Sequence, residues 1–214
     1  KVIALSTDKA SNPINLYGAT KLASDKLFIA ANSYIDKSTF TKFSIVRYGN
    51  VMGSRGSVIP YFLSISESGE LTITDERMTR FMITLEEAIE LVWHAFSNMS
   101  GGEIYIKKIP SMNIVDIAKS VSESATHKII GIRPGEKIHE QMIGTEDALF
   151  TYEYDSYYKI LPAIYDCFKN IEWIGDGKQV SEDFSYTSNN NIDWMKISDL
   201  KLWIQNHKTI IGKF

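Results

Sequence analysis

The chain has 214 residues, of which 44% are hydrophobic and 23% charged, and its net charge is −3. This is the composition of a soluble globular protein with one sizeable core or two small ones. The absence of a long basic block argues against nucleic acid as a partner, and no apolar stretch approaches the length that crosses a bilayer. The single cysteine, Cys167, excludes an internal disulfide bond and favours a cytoplasmic location.

Two apolar segments, at residues 2–6 and 43–47, are predicted to be buried strands on either side of a helix. Apolar residues recur at steps of three and four from residue 16 to about residue 32, which is the period of a helix. Polar residues follow both strands, and ligands of open α/β sheets bind at that carboxyl edge. This edge is therefore the first candidate for a site.

The rest of the chain alternates between helical and extended patterns. Strands that alternate with helices predict an α/β fold with a parallel sheet, and the short mixed elements from about residue 54 onward predict a smaller second lobe. Helices are predicted at 59–68, 85–98, 113–124 and 197–207, strands at 71–74, 103–106 and 128–132, and a hairpin at 150–158.

Five side chains with complementary acid–base chemistry lie around the first strand and helix. The strand ends in Thr7, Asp8 and Lys9, whereas Tyr17 and Lys21 are four residues apart and share one face of the helix. The Lys21 ammonium favours the tyrosinate form of Tyr17, which suits a general base. Such a group of proton donors and acceptors can carry several proton transfers around one small substrate.

The spacing of Tyr17 and Lys21 is by itself weak, because a Tyr-x-x-x-Lys pair on a helix surface arises by chance. Tyr165 and Lys169 have the same spacing, but no strand that ends in polar residues precedes them. We therefore interpret the second pair as a chance match.

The longer sequence around the first pair resembles the extended short-chain dehydrogenases/reductases. The similarity lies in residues 4–10, in Asn12-Pro13 and in residues 16–21. Asp8-Lys9 stands where sugar epimerases of the superfamily have Ser or Thr followed by Ala, and it resembles the UDP-N-acetylglucosamine 4,6-dehydratases of pseudaminic acid synthesis. The tyrosine at position 17 resembles the short, C5-inverting dehydratases, because the long membrane-bound dehydratases have Met at the equivalent position.

The resemblance implies the C-terminal part of a Rossmann-like doubly wound parallel sheet plus a smaller mixed α/β substrate lobe. Residues 1–53 would form the C-terminal end of the NADP-binding Rossmann domain. Residues 54–160 would form mainly the nucleotide-sugar lobe, and residues 161–214 would be a C-terminal extension without assigned chemistry. The chain begins at Lys1 and contains no Gly-x-x-Gly-x-x-Gly phosphate cradle. We therefore expect a longer gene product, and we expect the chain alone to bind the cofactor poorly and to be inactive.

The resemblance also implies a reaction. Tyr17, held by Lys21, would take the proton of the sugar 4-hydroxyl while C4 gives hydride to NADP, which is expected in preference to NAD. Lys9 would then remove the C5 proton, Asp8 would protonate the leaving 6-hydroxyl, and Thr7 would hydrogen-bond the 4-oxygen. Hydride would return to C6, and C5 would be protonated from the opposite face. Burial favours the protonated form of Asp8 and Lys9 favours the ionised form, so both forms stay open.

Five later residues are candidate ligands for a UDP-sugar, and each also has a structural interpretation. Asn50 and Arg55 belong to a glycine-rich segment that either approaches a ligand or only connects two elements. By resemblance, Arg80 and Arg133 would clamp a diphosphate, and Glu136 would accept hydrogen bonds from ribose hydroxyls. The alternative for Arg80 is a surface ion pair with Glu76.

We expect a homo-oligomer that binds a UDP-sugar and needs no metal, nucleic acid or membrane. Two alternatives to the dehydratase stay open. A UDP-hexose 4-epimerase would use the same scaffold, although it needs no acid for a leaving water. A non-catalytic fragment would fold only together with a partner.

Overall fold

The computed structural model of the protein describes residues 1–35, 39–163 and 171–213. It divides into two compact units, each assembled from three separate stretches of the chain. The first unit consists of Lys1–Tyr48, Glu86–Lys108 and Gln141–Thr187, and the second of Gly49–Leu85, Ile109–Glu140 and Ser188–Phe214. Cys167 and the pair Tyr165 and Lys169 lie outside the described residues.

The helices and strands are numbered in chain order. The strands are β1 (Val2–Thr7), β2 (Phe43–Tyr48), β3 (Asn50–Val51), β4 (Glu70–Ile73), β5 (Thr79–Ile83), β6 (Ile104–Lys107), β7 (Ser111–Asn113), β8 (Thr126–Ile129), β9 (Gln141–Ile143), β10 (Thr151–Glu153), β11 (Tyr157–Ile160), β12 (Lys178–Gln179) and β13 (Tyr186–Thr187). The α-helices are α1 (Leu16–Tyr34), α2 (Val58–Ile65), α3 (Leu85–Asn98), α4 (Ile114–Val121), α5 (Thr145–Ala148), α6 (Ile171–Ile174) and α7 (Ile197–His207).

The first unit is built on a six-stranded sheet in the order β1-β2-β6-β11-β10-β12. Strands β1, β2 and β6 run parallel, and α1 connects β1 to β2, as the βαβ pattern predicts. Strands β11, β10 and β12 pair antiparallel. The sheet is therefore mixed, because β10 and β11 form the predicted hairpin and a hairpin pairs its strands in opposite directions.

The centre of this sheet is buried, whereas β1 is only partly buried. Val46 on β2 and Tyr105 on β6 are fully buried, and α3 packs Leu91 and Ala95 against them. The prediction of a buried strand at residues 2–6 is confirmed for Ala4 and Ser6, which are buried, but is wrong for Leu5, which is 50% exposed. The reason is that β1 pairs only with β2 among the described strands, so one edge of β1 has no neighbour.

The second unit has its own apolar core. Strands β3, β5 and β7 form one sheet, and β4 and β8 form a parallel pair. Helices α2, α4 and α7 and strand β4 supply core residues that include Phe62, Ile73, Ile117 and Leu200. Since Leu200 is fully buried in this core, helix α7 gives the C-terminal stretch a packing role that the sequence did not assign to it.

The compact units cut across the consecutive division expected from the sequence. Residues 86–108 and 141–187 belong with the first unit, because β6 pairs with β2 and β11 pairs with β6. The stretch that begins at Ser188 belongs with the second unit. The assignment of cofactor binding to residues 1–53 and of sugar binding mainly to 54–160 stays a prediction.

Most long elements and some short strands, such as β4 and β6, lie where the sequence predicts them, whereas other short strands were missed. The helices predicted at 85–98 and 197–207 are α3 and α7. The helix predicted at 113–124 ends at Val121, and the strand predicted at 128–132 begins earlier, at Thr126. The sequence missed β3, β5, β7 and β9, because two to five residues are too few to establish a period.

Candidate active site

The end of β1 brings three of the predicted acid–base residues together. The chain leaves β1 at Thr7 and enters a 3-10 turn over Asp8–Ala10. One carboxylate oxygen of Asp8, Oδ1, accepts hydrogen bonds from the Thr7 hydroxyl at 2.9 Å and from Lys9 Nζ at 3.1 Å. Asp8 is fully buried, and its second oxygen, Oδ2, has no hydrogen-bond partner among the described residues.

Helix α1 begins directly against this turn. The Asn15 side chain caps the helix by accepting a hydrogen bond from the Gly18 amide at 2.8 Å. A Cβ at Gly18 would lie 2.3 Å from the Lys9 carbonyl oxygen, so only glycine permits this approach. Tyr17, the neighbour of Gly18, is therefore held beside the turn that carries Asp8 and Lys9.

The other member of the helical pair is tied to β1. Lys21 Nζ donates a hydrogen bond to the Leu5 carbonyl at 3.1 Å, which fixes the ammonium one turn along α1 from Tyr17. The Tyr17 side chain is 53% exposed, so its phenol is open to a ligand. All five predicted acid–base residues thus lie at the carboxyl end of β1 within the first unit, and their chemical roles stay predictions.

A second tyrosine, Tyr48, lies at the same edge and was not assigned a role from the sequence. It ends β2 and is the register partner of Thr7, and it is half-buried. Burial raises the pKa of Tyr48, and its electrostatic interaction with Tyr17 raises it further. A tyrosine immediately after a strand-end arginine was the available signal in the sequence.

The second unit contains a cavity of about 580 Å³, within the usual range for small-molecule sites. Four of the five predicted substrate ligands line it: Asn50, Arg80, Arg133 and Glu136. Apolar side chains form much of the remaining wall, including Val58, Pro60, Phe62, Ile73, Met78, Ile114 and Ile130. Arg55 is exposed and is not among the lining residues, although its neighbours Gly56 and Ser57 are.

Three lining residues each have a buried oxygen with no hydrogen-bond partner among the described residues. These are Asn50 Oδ1, Ser57 Oγ and Glu136 Oε2. Ser57 is the N-cap residue of α2, yet its hydroxyl makes no capping bond. Because buried polar atoms are normally paired, oxygens left open around one cavity indicate a site for a ligand that donates hydrogen bonds.

The two predicted diphosphate arginines differ in their surroundings. Arg80 is held by backbone carbonyls, donating from Nη1 to Ile138 at 3.0 Å and from Nη2 to Lys137 at 3.1 Å. Its ion pair is with Glu140, at 3.8 Å. Arg133 is 62% exposed and lies 3.8 Å from Glu136, so its guanidinium is accessible to an anionic ligand.

Neither unit offers a metal site in the described part of the chain. No group of three or more His, Cys, Asp or Glu side chains in residues 1–35, 39–163 and 171–213 is arranged to hold a metal ion. Within the same residues, no helix has the length and apolar character required to cross a bilayer.

Comparison with known proteins identifies the family. Residues 1–162 match the family model described as "Polysaccharide biosynthesis protein". The chain is 53% identical, over 214 positions, to UDP-N-acetylglucosamine 4,6-dehydratase (inverting) of Campylobacter jejuni, in an alignment that covers 97% of this chain and 64% of the relative. It is 42% identical to UDP-glucose 4-epimerase of Rickettsia akari over 165 positions, which cover 75% of this chain and 48% of the relative.

The solved structures include a similar protein, Pen from Bacillus thuringiensis. It matches with a TM-score of 0.80 and 33% sequence identity, covering 96% of this chain and 61% of the other. The chain thus spans less than two thirds of the length of each of these three proteins. Since the family model matches three quarters of the residues, the chain belongs to the polysaccharide biosynthesis protein family.

Proposed function

We propose that the protein carrying this chain is an inverting UDP-N-acetylglucosamine 4,6-dehydratase. It forms a UDP-4-keto-6-deoxy-L-arabino-hexulose for a surface or flagellin glycan of the pseudaminic acid type. The observation that carries the proposal is the buried Asp8 carboxylate, shared by Thr7 and Lys9 beside the start of the helix with Tyr17 and Lys21. The 53% identity to a protein of that name supports it.

The contact between Lys9 and Asp8 supports a dehydration step. An ammonium cannot remove the C5 proton, and a carboxylate cannot protonate a leaving hydroxyl. Transfer of one proton along the 3.1 Å hydrogen bond from Lys9 Nζ to Asp8 Oδ1 gives both residues the required protonation state, because it leaves a neutral amine and a carboxylic acid. Lys9 is then the base for the C5 proton, and Asp8 is the acid for the 6-hydroxyl.

The first helix supports the step at C4. Tyr17 accepts the proton of the sugar 4-hydroxyl, and the Lys21 ammonium is held one turn away on the same face of α1. The Thr7 hydroxyl, which donates to Asp8 Oδ1 in the structure, redirects this hydrogen bond to the 4-oxygen when the sugar is bound. Tyr48, in register with Thr7, is half-buried at the same edge, and its raised pKa keeps the phenol neutral.

We assign a nicotinamide cofactor, NADP in preference to NAD, to the same edge. When bound, it supplies the hydride acceptor and donor for the sugar. The exposed Tyr17 phenol and the Lys21 ammonium fixed on the Leu5 carbonyl fit the nicotinamide end of such a cofactor. We further propose a homo-oligomer in the cytoplasm.

The cavity of the second unit is the proposed place of the UDP group. Its three open oxygens, on Asn50, Ser57 and Glu136, match a ligand with several hydroxyl or imide donors. Arg133 supplies an accessible cation for a diphosphate, and Arg80 adds positive charge to the wall. A neutral monosaccharide would leave the arginines unused.

The test is mass spectrometry of the product made from UDP-N-acetylglucosamine by the full-length product of the gene that encodes this chain. Loss of one water from the substrate mass is expected. An unchanged mass with a new sugar configuration would make the protein a 4-epimerase, the reaction named for the Rickettsia relative.

A further inference from the structure

A buried carboxylate on α1 has no part in the proposed chemistry. Within the described residues, α1 buries only Gly18 and Asp25. Asp25 is 2% exposed, at a place where a helix that packs on a sheet ordinarily presents an apolar side chain. Burial of a charged group is costly unless the group is paired, so its partners indicate what it does.

The partners of Asp25 are one residue on each of the two neighbouring strands. Its Oδ2 accepts a hydrogen bond from the Ser6 hydroxyl at 2.9 Å and another from Arg47 Nη2 at 3.1 Å. Ser6 on β1 and Arg47 on β2 are register partners. One carboxylate oxygen therefore joins the helix to both strands at a single level of the sheet.

Arg47 extends this connection within the first unit. Its side chain is 3% exposed, and Nη1 donates a hydrogen bond to the Met142 carbonyl of β9 at 2.6 Å. A second carboxylate, Asp147 Oδ2 on α5, lies 3.9 Å from Nη1, but that side chain is 34% exposed. Asp25 is thus the buried counterion of Arg47, and Asp147 is a peripheral one.

Each member of the Asp25 anchor, defined as Ser6, Asp25 and Arg47, is linked through the backbone or through one helical turn to a residue of the candidate site. Ser6 precedes Thr7, and Arg47 precedes Tyr48. Asp25 follows Lys21 by one helical repeat of four residues and Tyr17 by two, so the three share a stripe of α1. A displacement of Asp25 against the strands would therefore displace the phenol and the ammonium with it.

We propose that the Asp25 anchor is a positioning device, which sets the distance of Tyr17 and Lys21 from the turn that carries Asp8 and Lys9. The proposal rests on the proposed function, in which these residues act on one sugar. Buried ion pairs contribute little to stability relative to apolar residues of similar volume, but their hydrogen bonds fix geometry. Misplacement by about 1 Å lowers a rate by about 100-fold, so geometry at this place matters.

The test separates positioning from folding with paired variants of the full-length gene product. Asp25→Asn is expected to lower kcat at least tenfold, with KM for UDP-N-acetylglucosamine changed less than twofold. The double variant Asp25→Leu/Arg47→Met is expected to recover the melting temperature that Asp25→Asn loses, without recovering kcat. Asp147→Asn, the matched control on the peripheral carboxylate, is expected to keep both kcat and KM within twofold.

The opposite results would overturn the proposal. If kcat returns together with the melting temperature in the double variant, the anchor only stabilises the fold. The same conclusion follows if kcat per folded molecule is unchanged in Asp25→Asn. Ser6→Ala, which removes one hydrogen bond and leaves the ion pair, provides a milder variant with an expected loss of kcat of about threefold.

A second measurement keeps this inference independent of the dehydratase assignment. In the protein labelled with ¹³Cζ-tyrosine, the Tyr17 signal is identified by its loss in Tyr17→Phe. Asp25→Asn is expected to shift that signal, and Asp147→Asn is expected to leave it in place. A wild-type protein without turnover would refute the proposed function alone, whereas an unmoved Tyr17 signal in Asp25→Asn would refute the positioning role.

Discussion

Replacement of Gly18 by alanine tests whether the close contact between α1 and the strand-end turn sets the activity. The added Cβ would lie 2.3 Å from the Lys9 carbonyl oxygen and 3.0 Å from Pro13 Cβ. A real Cβ needs at least 3.0 Å from a backbone atom, which is 0.7 Å more than the 2.3 Å available. The helix and the turn must therefore separate, and Tyr17 and Lys9 move apart with them.

Two opposing effects determine the stability of this variant. Overpacking costs about 1–3 kcal/mol, whereas alanine in place of glycine inside a helix gains about 1 kcal/mol. The net loss of unfolding free energy is therefore expected to be about 0–2 kcal/mol. Activity is expected to respond more strongly, because a misplacement approaching 1 Å lowers a rate by up to about 100-fold.

The assay is turnover of UDP-N-acetylglucosamine by the full-length gene product, with urea unfolding measured on the same samples. Gly69→Ala is the matched control, because Gly69 has a φ of +73° and open space around its Cα. The left-handed backbone makes that change cost about 1–2 kcal/mol without touching the site. A Gly18→Ala variant that keeps kcat within threefold of wild type would refute the argument.

Replacement of Lys9 by Met is expected to lower dehydration by about 10²–10⁴-fold, because the C5 base is lost, while C4 oxidation persists as measurable reduced-cofactor absorbance. Full dehydration by that variant would exclude Lys9 as the base. Replacement of Arg133 by Gln is expected to raise KM for the UDP-sugar about tenfold or more, through loss of a charge-assisted contact, with kcat little changed. Arg55→Gln is the control, expected to leave KM within twofold because Arg55 does not line the cavity; equal effects of the two changes would contradict the assignment. Replacement of the buried Phe62, which is 2% exposed, by Ala is expected to lower the unfolding free energy by about 3–5 kcal/mol in urea titration. The same replacement at Phe40, which is 93% exposed, is expected to change the unfolding free energy by less than about 0.5 kcal/mol.

The site could be predicted from the sequence wherever it depends on local geometry. The helical period fixes Tyr17 and Lys21 on one face of α1, and a strand followed by a turn fixes Thr7, Asp8 and Lys9 at its end. Helices α3 and α7 were predicted for the same reason, since each presents an apolar stripe over several turns. Such features need only a few consecutive residues, so a single sequence contains them.

Other parts of the site depend on residues far apart in the chain. The oxygens of Asn50, Ser57 and Glu136 line one cavity although the three residues come from separate segments. The position of Arg55 outside that cavity was equally unpredictable, because a glycine-rich loop does not determine the direction of its side chains. The interleaved units follow from strand pairings, such as β2 with β6, that no local pattern specifies.

The sequence by itself determined the acid–base residues, their order along β1 and α1, and the family to which they belong. Only the tertiary structure decided that Tyr48 lies in register with Thr7 and that Asp25 is bound to Arg47 and Ser6. The physical reason is the parallel register of β1 and β2, which places Ser6 against Arg47 and Thr7 against Tyr48. That register depends on packing between segments about forty residues apart in the chain. The alternation of apolar and polar residues within either strand does not specify it.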